Sequence, residues 1–224
     1  MKRVIYFCTI LGFLFLAACA ETPTTPELPV PPPLPEKSLI TINWPANLPR
    51  QASDYAGEVL GSLKMTFDQF ESARPNKPQN EDSYWTWKYH DGPFTIWIHA
   101  TVLAAEEVSW EIELEPASSP KRVYSKGTTH AGGKSGAWDY YDIDGIIFES
   151  LTWLRDAQEK LVVNATRYLR EYDIMANADD SGSLIVTEKD VKIYEATWDA
   201  SGAGSWISYD PSTGQQTDSG NWSA

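Results

Sequence analysis

Residues 39–224 are predicted to form an all-β domain, a single antiparallel meander, sandwich or barrel-like sheet. Two observations predict this fold class. Short runs of aromatic and β-branched residues recur at intervals of roughly 8–12 residues, and turn-forming residues separate them. The chain also has 10 Trp and 11 Tyr, large side chains that sheets commonly bury.

The first elements of the domain are two expected strands. Residues 39–44 are mostly apolar and β-branched, and Pro45 ends the run because it lacks a backbone donor. Residues 58–67 nearly alternate between apolar and polar side chains, a period of two that is typical of a strand. Val59, Leu63 and Phe67 would then face the core.

A hairpin and a half-buried strand come next. Residues 84–89 and 94–102 flank Asp91-Gly92, a pair that favours a tight turn between two strands. Residues 108–115 alternate most clearly, and this pattern places one apolar face on the core. The carboxylates on the opposite, solvated face are Glu111, Glu113 and Glu115.

The pattern G-x-W-x-x-Y-D occurs twice, at residues 136–142 and at residues 204–210. Each copy places aromatic side chains on a strand and an Asp at the start of a turn. The pattern is similar to the Gly–Trp–Tyr strand units of MORN-type β-hairpin repeats. That resemblance implies hairpins at both places and carries no ligand with it.

Residues 146–176 fit two interpretations. Phe148, Leu151 and Leu154 begin a helical stripe, and no Pro or Gly interrupts the region. The β-branched residues and the β segments on both sides favour strands, with a turn at residues 156–159. We expect strands here, with a helix around residues 146–176 as the alternative.

The first 18 residues have the three parts of a secretory signal. Lys2 and Arg3 supply positive charge, residues 4–16 are almost wholly apolar, and small residues precede Cys19. The apolar run is shorter than the ~20 residues that a membrane-spanning helix needs. The sequence Leu16-Ala17-Ala18-Cys19 closely resembles the lipobox of bacterial lipoproteins.

That resemblance implies cleavage before Cys19 and attachment of fatty acyl chains such as palmitate to Cys19. More than one chain would make the attachment to the membrane stable. Ala20 stands where an Asp would resemble an inner-membrane retention signal, so the outer membrane is expected. Residues 19–38 would form a semi-rigid linker, since seven Pro between residues 22 and 38 favour polyproline II.

Charge and cysteine content exclude further classes of protein. The formal net charge of −13 becomes −15 once Lys2 and Arg3 are removed with the signal. Such an acidic protein is a poor candidate for binding nucleic acid, whose phosphates attract cations. The two cysteines are Cys8, within the signal, and Cys19, so we expect no disulfide in the mature domain.

Residues 177–188 resemble the calcium-binding loop of EF-hand proteins. The resemblance implies oxygen ligands from Asn177, Asp179, Ser181, Ser183 and Glu188. Asn177 and Ser181 provide fewer carboxylates than the usual loop, which would weaken binding of Ca²⁺. We prefer a hairpin turn within this segment and expect no cofactor.

No catalytic residue is predicted. The histidines, His90, His99 and His130, lack the spacing of a metal site, and the chain lacks nucleophile-elbow and phosphate-loop motifs. The three glutamates within residues 108–115 fit a solvated strand face better than the paired carboxylates of a glycosidase.

The aromatic residues give the better indication of function. Trp85, Trp87, Trp138 and Trp206 could stack on sugar rings or anchor a protein partner, although core packing is the commoner use of such side chains. We therefore expect a lipid-anchored, non-enzymatic cell-envelope protein that binds a protein or a glycan, or that serves structurally. The alternatives are a β-fold hydrolase of envelope polysaccharide and a calcium-binding module.

Overall fold

The structure, a computed structural model, describes residues 30–81 and 83–224. The predicted signal, Cys19 and most of the predicted linker lie outside these residues. Residues 31–224 form one compact unit. Among the described residues, no helix combines the length and the hydropathy that crossing a bilayer requires.

The all-β prediction is confirmed, because thirteen antiparallel strands form one sheet and each strand pairs with the next one along the chain. The sheet is an open meander within the described residues, since its first and last strands each have one neighbour. The strands are β1 (Gln79–Glu81), β2 (Tyr84–Asp91), β3 (Phe94–Ala104), β4 (Glu107–Pro116), β5 (Arg122–His130), β6 (Ser135–Tyr141), β7 (Ile147–Arg155), β8 (Leu161–Arg167), β9 (Arg170–Ala176), β10 (Gly182–Glu188), β11 (Val191–Trp198), β12 (Gly204–Tyr209) and β13 (Gln216–Trp222).

The predicted strand at residues 58–67 is wrong, because this segment belongs to helix α1 (Arg50–Ala73). Val59, Leu63 and Phe67 are buried and lie four residues apart, a spacing that fits both a strand face and a helix face. Ala56 and Phe70 are also buried, three residues before Val59 and three residues after Phe67. This mixture of three- and four-residue spacings fits a helix and not a strand.

The predicted strand at residues 39–44 is also wrong. A short 3-10 helix (Lys37–Ile40) begins the segment, and the rest is extended chain outside the sheet. The carbonyl oxygens of Leu39 and Thr41 accept hydrogen bonds from the guanidinium of Arg155, at 2.9 and 3.0 Å. A side chain therefore takes the place of a neighbouring strand.

Residues 147–176 form β7, β8 and β9, which confirms the expected strands. The alternative helix around residues 146–176 is wrong. Leu151 and Trp153 of β7 are buried, and so are Leu161 and Val163 of β8, with exposed or half-buried residues between them. This period of two lets all three strands bury the same face.

Helix α1 packs across one face of the sheet, which we call the covered face; the opposite one is the open face. Near the start of α1, the ring of Tyr55 lies 5.3 Å from that of Tyr194 of β11. Near its end, the ring of Phe70 lies 4.9 Å from that of Trp110 of β4. The helix therefore spans most of the width of the sheet and buries its aromatic side chains.

The two ends of the strands differ in what lies against them. We call basal the end that carries the β5–β6, β7–β8, β9–β10 and β11–β12 turns, and apical the end that carries the β6–β7, β8–β9 and β10–β11 turns. The chain before α1 follows the basal end, where Pro35 lies against Gly133 and Asn43 donates to Asp180 at 2.9 Å. The ring of Trp44 then packs 5.3 Å from that of Trp198.

Glycine and Trp are paired across the sheet in a recurring arrangement. In each pair the two residues lie directly opposite one another, and a Cβ on the glycine would overlap the indole ring. The glycine thus leaves room for the indole ring, and the ring packs against the backbone of the glycine. The pairs are Gly127 with Trp138, Gly136 with Trp153, Gly182 with Trp198, Gly204 with Trp222, and Gly220 with Trp206.

Three of these rings also cap a basal turn. The indole Nε1 of Trp153 donates to the carbonyl oxygen of Gly133 at 3.0 Å, and that of Trp198 donates to Asp180 at 2.8 Å. Trp222 bonds Gly202 in the same way at 2.7 Å. The first glycine of each copy of the repeated motif, Gly136 or Gly204, therefore lies opposite a ring, that of Trp153 or Trp222, that closes the turn before the motif.

A buried carboxylate lies between α1 and the sheet. Oε2 of Glu149 accepts hydrogen bonds from Oγ of Ser62 at 2.8 Å and from Nη1 of Arg167 at 2.6 Å. Burial raises the pKa of Glu149, and the bonds from Ser62 and Arg167 offset only part of this effect. Arg167 is thus the positive charge that compensates for the buried carboxylate.

We expect Gly136→Ala to lower the free energy of unfolding by about 1–3 kcal/mol, because the new methyl group overlaps Trp153 and the carbonyl of Thr128. Gly57→Ala is the matched control: it lies in α1 with open space around it, and should raise the free energy of unfolding by about 0.5–1 kcal/mol. Urea titration measures both. Equal effects of the two substitutions would contradict the proposed role of the Gly–Trp pairs.

We expect Arg167→Met to lower the free energy of unfolding by about 3–5 kcal/mol at pH 7, because Glu149 stays buried without a counter-charge. The folded-state pKa of Glu149 is raised, so the stability that its protonation contributes is present below its ordinary value of 4.5 and is lost as the pH rises. The deficit should therefore shrink between pH 7 and pH 4.

Arg170→Met is the control for that substitution. Its partners, Glu58 at 3.4 Å and Glu188 at 2.9 Å, stay accessible to water, so it should cost less than about 1 kcal/mol. Denaturant unfolding at both pH values gives the comparison, and a deficit for Arg167→Met that did not depend on pH would rule out the buried charge as its cause.

Candidate functional site

The four Trp residues of the predicted ligand platform lie on the covered face. Trp87 and Trp138 are 3% and 1% exposed, and both belong to the core beneath α1. Trp206 stacks on Tyr194 with ring centroids 6.3 Å apart, and Trp85 is half-buried against the same core. The structure therefore uses these rings for packing, and it does not bring them together on an exposed surface.

The predicted calcium ligands do not converge on one point. Asn177, Asp179 and Ser181 lie in the basal turn between β9 and β10, whereas Ser183 and Glu188 lie in β10 itself. Glu188 ends that strand, about 20 Å from the turn at the rise of an extended chain. The segment lacks the geometry of an EF-hand loop.

Hydrogen bonds within the turn account for its acidic sequence. Oδ1 of Asp179 accepts from the hydroxyl of Ser181 at 2.6 Å and from its backbone N–H at 3.1 Å. These bonds hold the pKa of Asp179 below its usual value. The described residues hold no group of three or more His, Cys, Asp or Glu side chains that could bind a metal ion.

Two adjoining cavities form a groove on the open face. The larger has a volume of about 610 Å³ and extends from β4 to β9, and the smaller, of about 540 Å³, extends from β2 to β5. Ser109 and Lys126 line both cavities, so the groove is continuous. We call it the open-face groove.

The centre of the open-face groove is a row of cross-strand neighbours with short side chains. Thr128, Ala137 and Thr152 are successive partners across β5, β6 and β7. The row continues to Asn164 and Asp173, whose side chains bond each other at 2.5 Å. Because none of these side chains is long, the sheet surface stays accessible and presents hydroxyl, amide and carboxylate groups.

One end of the groove holds a network of ion pairs. Nε2 of His99 lies 2.8 Å from Oε2 of Glu113, and Nδ1 lies 3.0 Å from the hydroxyl of Thr86. Lys121 donates to the same oxygen of Glu113 at 2.5 Å. Lys126 pairs in turn with Glu111 at 2.6 Å.

The network determines the charge state of Glu113. Burial raises the pKa of this carboxyl, but the hydrogen bonds from Lys121 and His99 outweigh burial and leave the pKa below its usual value. Glu113 is therefore an ionised acceptor at neutral pH. The sequence placed Glu111, Glu113 and Glu115 correctly on one face, but it predicted free, solvated carboxylates where the structure has partnered ones.

Trp97 is an aromatic residue of the open face that the sequence analysis did not count among the candidate ligand-binding residues. The ammonium group of Lys88 lies 3.9 Å from the centroid of its ring, and Nε1 donates to Glu115 at 3.2 Å. Trp97 alternates with the buried Ile96 and Ile98, and this register could have revealed its position. The ring lies parallel to His99, at 6.5 Å, beside the smaller cavity.

Two carboxyls of the sheet can be compared with the acid of a glycosidase. A glycosidase needs one carboxyl that stays protonated at neutral pH, and this requires a raised pKa. The pKa of Glu113 is lowered, and Glu149, whose pKa is raised, lies beneath α1 on the other face of the sheet.

Comparisons of the chain with models of protein families and with curated proteins find no match in either set.

Proposed function

We propose that this chain is a lipid-anchored, non-enzymatic protein of the cell envelope whose open-face groove binds a neutral glycan. The observation that carries the proposal is the continuous groove across β2 to β9, lined by short polar side chains. At a strand spacing of about 4.8 Å the groove is about 34 Å long, which suits an extended chain rather than a compact ligand.

The chemistry of the lining supports a sugar chain as the ligand. Hydroxyl, amide and carboxylate groups, as at Thr152, Asn164 and Asp173, can donate to or accept from sugar hydroxyls. Tyr84, at the end of the smaller cavity, adds a planar ring of the kind that stacks on sugars. The net charge of −13 disfavours an anionic polymer.

The location of the protein rests on its first residues. The signal-like segment and the lipobox-like sequence at Cys19 support export and lipid attachment, and the outer membrane is the proposed site. Two or more acyl chains would hold the domain at the membrane surface, where envelope polysaccharides are within reach.

Cys19→Ala should abolish labelling with radioactive palmitate and release the protein from the membrane fraction, because the acylated thiol is lost. Cys8→Ala is the matched control, since Cys8 lies within the cleaved signal, and labelling should persist. Immunoblots of fractionated cells provide the second measurement. Labelling that survives Cys19→Ala would refute the anchor.

Ala137→Trp should weaken binding to neutral polysaccharides at least tenfold, about 1.4 kcal/mol, because the indole fills the centre of the groove. Thr197→Trp, on the open face but outside the groove, should leave affinity unchanged. Affinity electrophoresis and calorimetry with starch, cellulose and chitin oligosaccharides measure the effect.

Two results would contradict glycan binding in this groove. The first is that none of the polysaccharides retards the wild type or either variant. The second is that both variants bind as well as the wild type. Release of new reducing ends by the wild-type protein would instead favour the hydrolase alternative.

A further inference from the structure

The turn between β3 and β4 exposes a run of apolar residues at the basal end of the sheet. Val102, Leu103, Ala104 and Ala105 are all exposed, and the two larger side chains are 53% and 55% exposed. Single exposed apolar residues are common, but four in succession are not expected on a protein surface unless they have a function. We call residues 102–106 the hairpin tip.

The hairpin tip projects past the strands on both sides of it. β2 pairs with β3 only as far as Ala100, and β5 pairs with β4 only as far as Glu107. A β-bulge leaves Leu103 without a partner on β4, between the paired residues Val102 and Ala104. Bulges redirect side chains and are common next to functional sites. Within the described residues, no strand outside this hairpin therefore pairs with the tip.

The chain that leads from the predicted anchor enters the domain beside this tip. The carbonyl oxygen of Pro35 accepts a hydrogen bond from the guanidinium of Arg74 at 2.9 Å, which fixes the entering chain to the domain. A Cβ on Gly133 would lie 3.1 Å from Pro35. In the same turn, the N–H of Ala131 donates to the carbonyl oxygen of Glu106 at 3.1 Å. The turn between β5 and β6 thus contacts both the entering chain and the hairpin tip.

The chain between the predicted anchor and the domain is short. Cys19 and Pro31 are twelve residues apart, and a fully extended chain of that length spans at most about 40 Å. If acyl chains hold Cys19 in a bilayer, the end of the domain at which the tether arrives is the basal end. Tethering makes contact between the tip and the bilayer effectively intramolecular, so burial of a few apolar side chains is sufficient.

The charged groups around the tip indicate which bilayer surface it fits. Glu106 and Glu107 follow the apolar run, and Glu81 ends β1 at the same end of the sheet. The cationic or titratable side chains nearby are His130 and Lys134, in and before the β5–β6 turn. Because the carboxylates outnumber the cations, anionic headgroups would be repelled. The apolar side chains suit the interface of a zwitterionic bilayer.

We propose that the hairpin tip inserts into the surface of a zwitterionic bilayer and orients the tethered domain on it. Val102 and Leu103 enter the boundary between headgroups and acyl chains, while Glu106 stays at the level of the headgroups. The open-face groove crosses the strands, so insertion of the basal end holds the groove parallel to the membrane. The insertion depends on the proposed lipid anchor, which by itself fixes no orientation.

The test uses the full-length, lipid-modified protein in vesicles of phosphatidylcholine and phosphatidylethanolamine. Leu103→Cys carries a bimane fluorophore, since Cys8 leaves with the signal and acylation consumes the thiol of Cys19. Ile143→Cys, with the same fluorophore, is the matched control, because Ile143 is an apolar residue of the apical end and is 79% exposed. Brominated acyl chains should quench at least about half of the fluorescence at position 103, because an inserted apolar surface reaches roughly 5–10 Å into the interface. Position 143 should keep its fluorescence.

A second variant tests whether the apolar side chains drive the insertion. Val102→Asp, combined with the label at position 103, should abolish the quenching. The melting temperature should change by less than about 2 °C, because Val102 is exposed. The variant should still float with the vesicles, since the acyl chains hold it there.

The outcomes separate the insertion from the anchor. A partner protein or a second copy of this chain on the tip would give flotation without quenching at position 103, and this result overturns the insertion while the anchor stands. Equal quenching at positions 103 and 143, or quenching that survives Val102→Asp, also overturns the insertion. A wild-type protein that does not float with the vesicles would refute the anchor and the insertion with it.

Discussion

The packing of α1 against one face of the sheet is the interaction on which the rest of the structure depends. Within residues 30–81 and 83–224, the single sheet of thirteen strands has no second sheet to bury its apolar side chains. Val59, Leu63, Phe67 and Phe70 of α1 are fully buried there, and each contributes roughly 1.5–3 kcal/mol by leaving water. The basal segment around Trp44 closes the same core beside Trp198.

Covering one face leaves the other to solvent, and this division creates the surfaces that can bind ligands. Residues alternate along each strand, so a pattern that directs Trp110 and Trp138 to α1 directs Ser109 and Ala137 to water. Cross-strand register then aligns the short polar side chains in one row. The open-face groove therefore follows from the same alternation of residues that places large side chains in the core.

The ends of the strands have separate roles. At the basal end, indole N–H groups donate to carbonyl oxygens of three turns, and the chain before α1 lies against these turns. The contacts of this end therefore stabilise the fold. The apical end carries exposed apolar residues, among them Tyr168, whose ring lies 6.2 Å from that of Phe148. The proposed glycan site thus lies on a surface separate from the basal end, to which the chain from the proposed lipid anchor leads.

The sequence by itself determined the β2–β3 hairpin and strands β4, β6 and β12, because alternation and turn residues are local signals that act between neighbours in the chain. It also determined the shared face of Glu111, Glu113 and Glu115. Only the tertiary structure decided that residues 50–73 are helical, since the spacing of Val59, Leu63 and Phe67 satisfies both periods. It alone joined His99 to Glu113 and Thr152 to Asn164, because cross-strand register brings together residues that no local pattern connects.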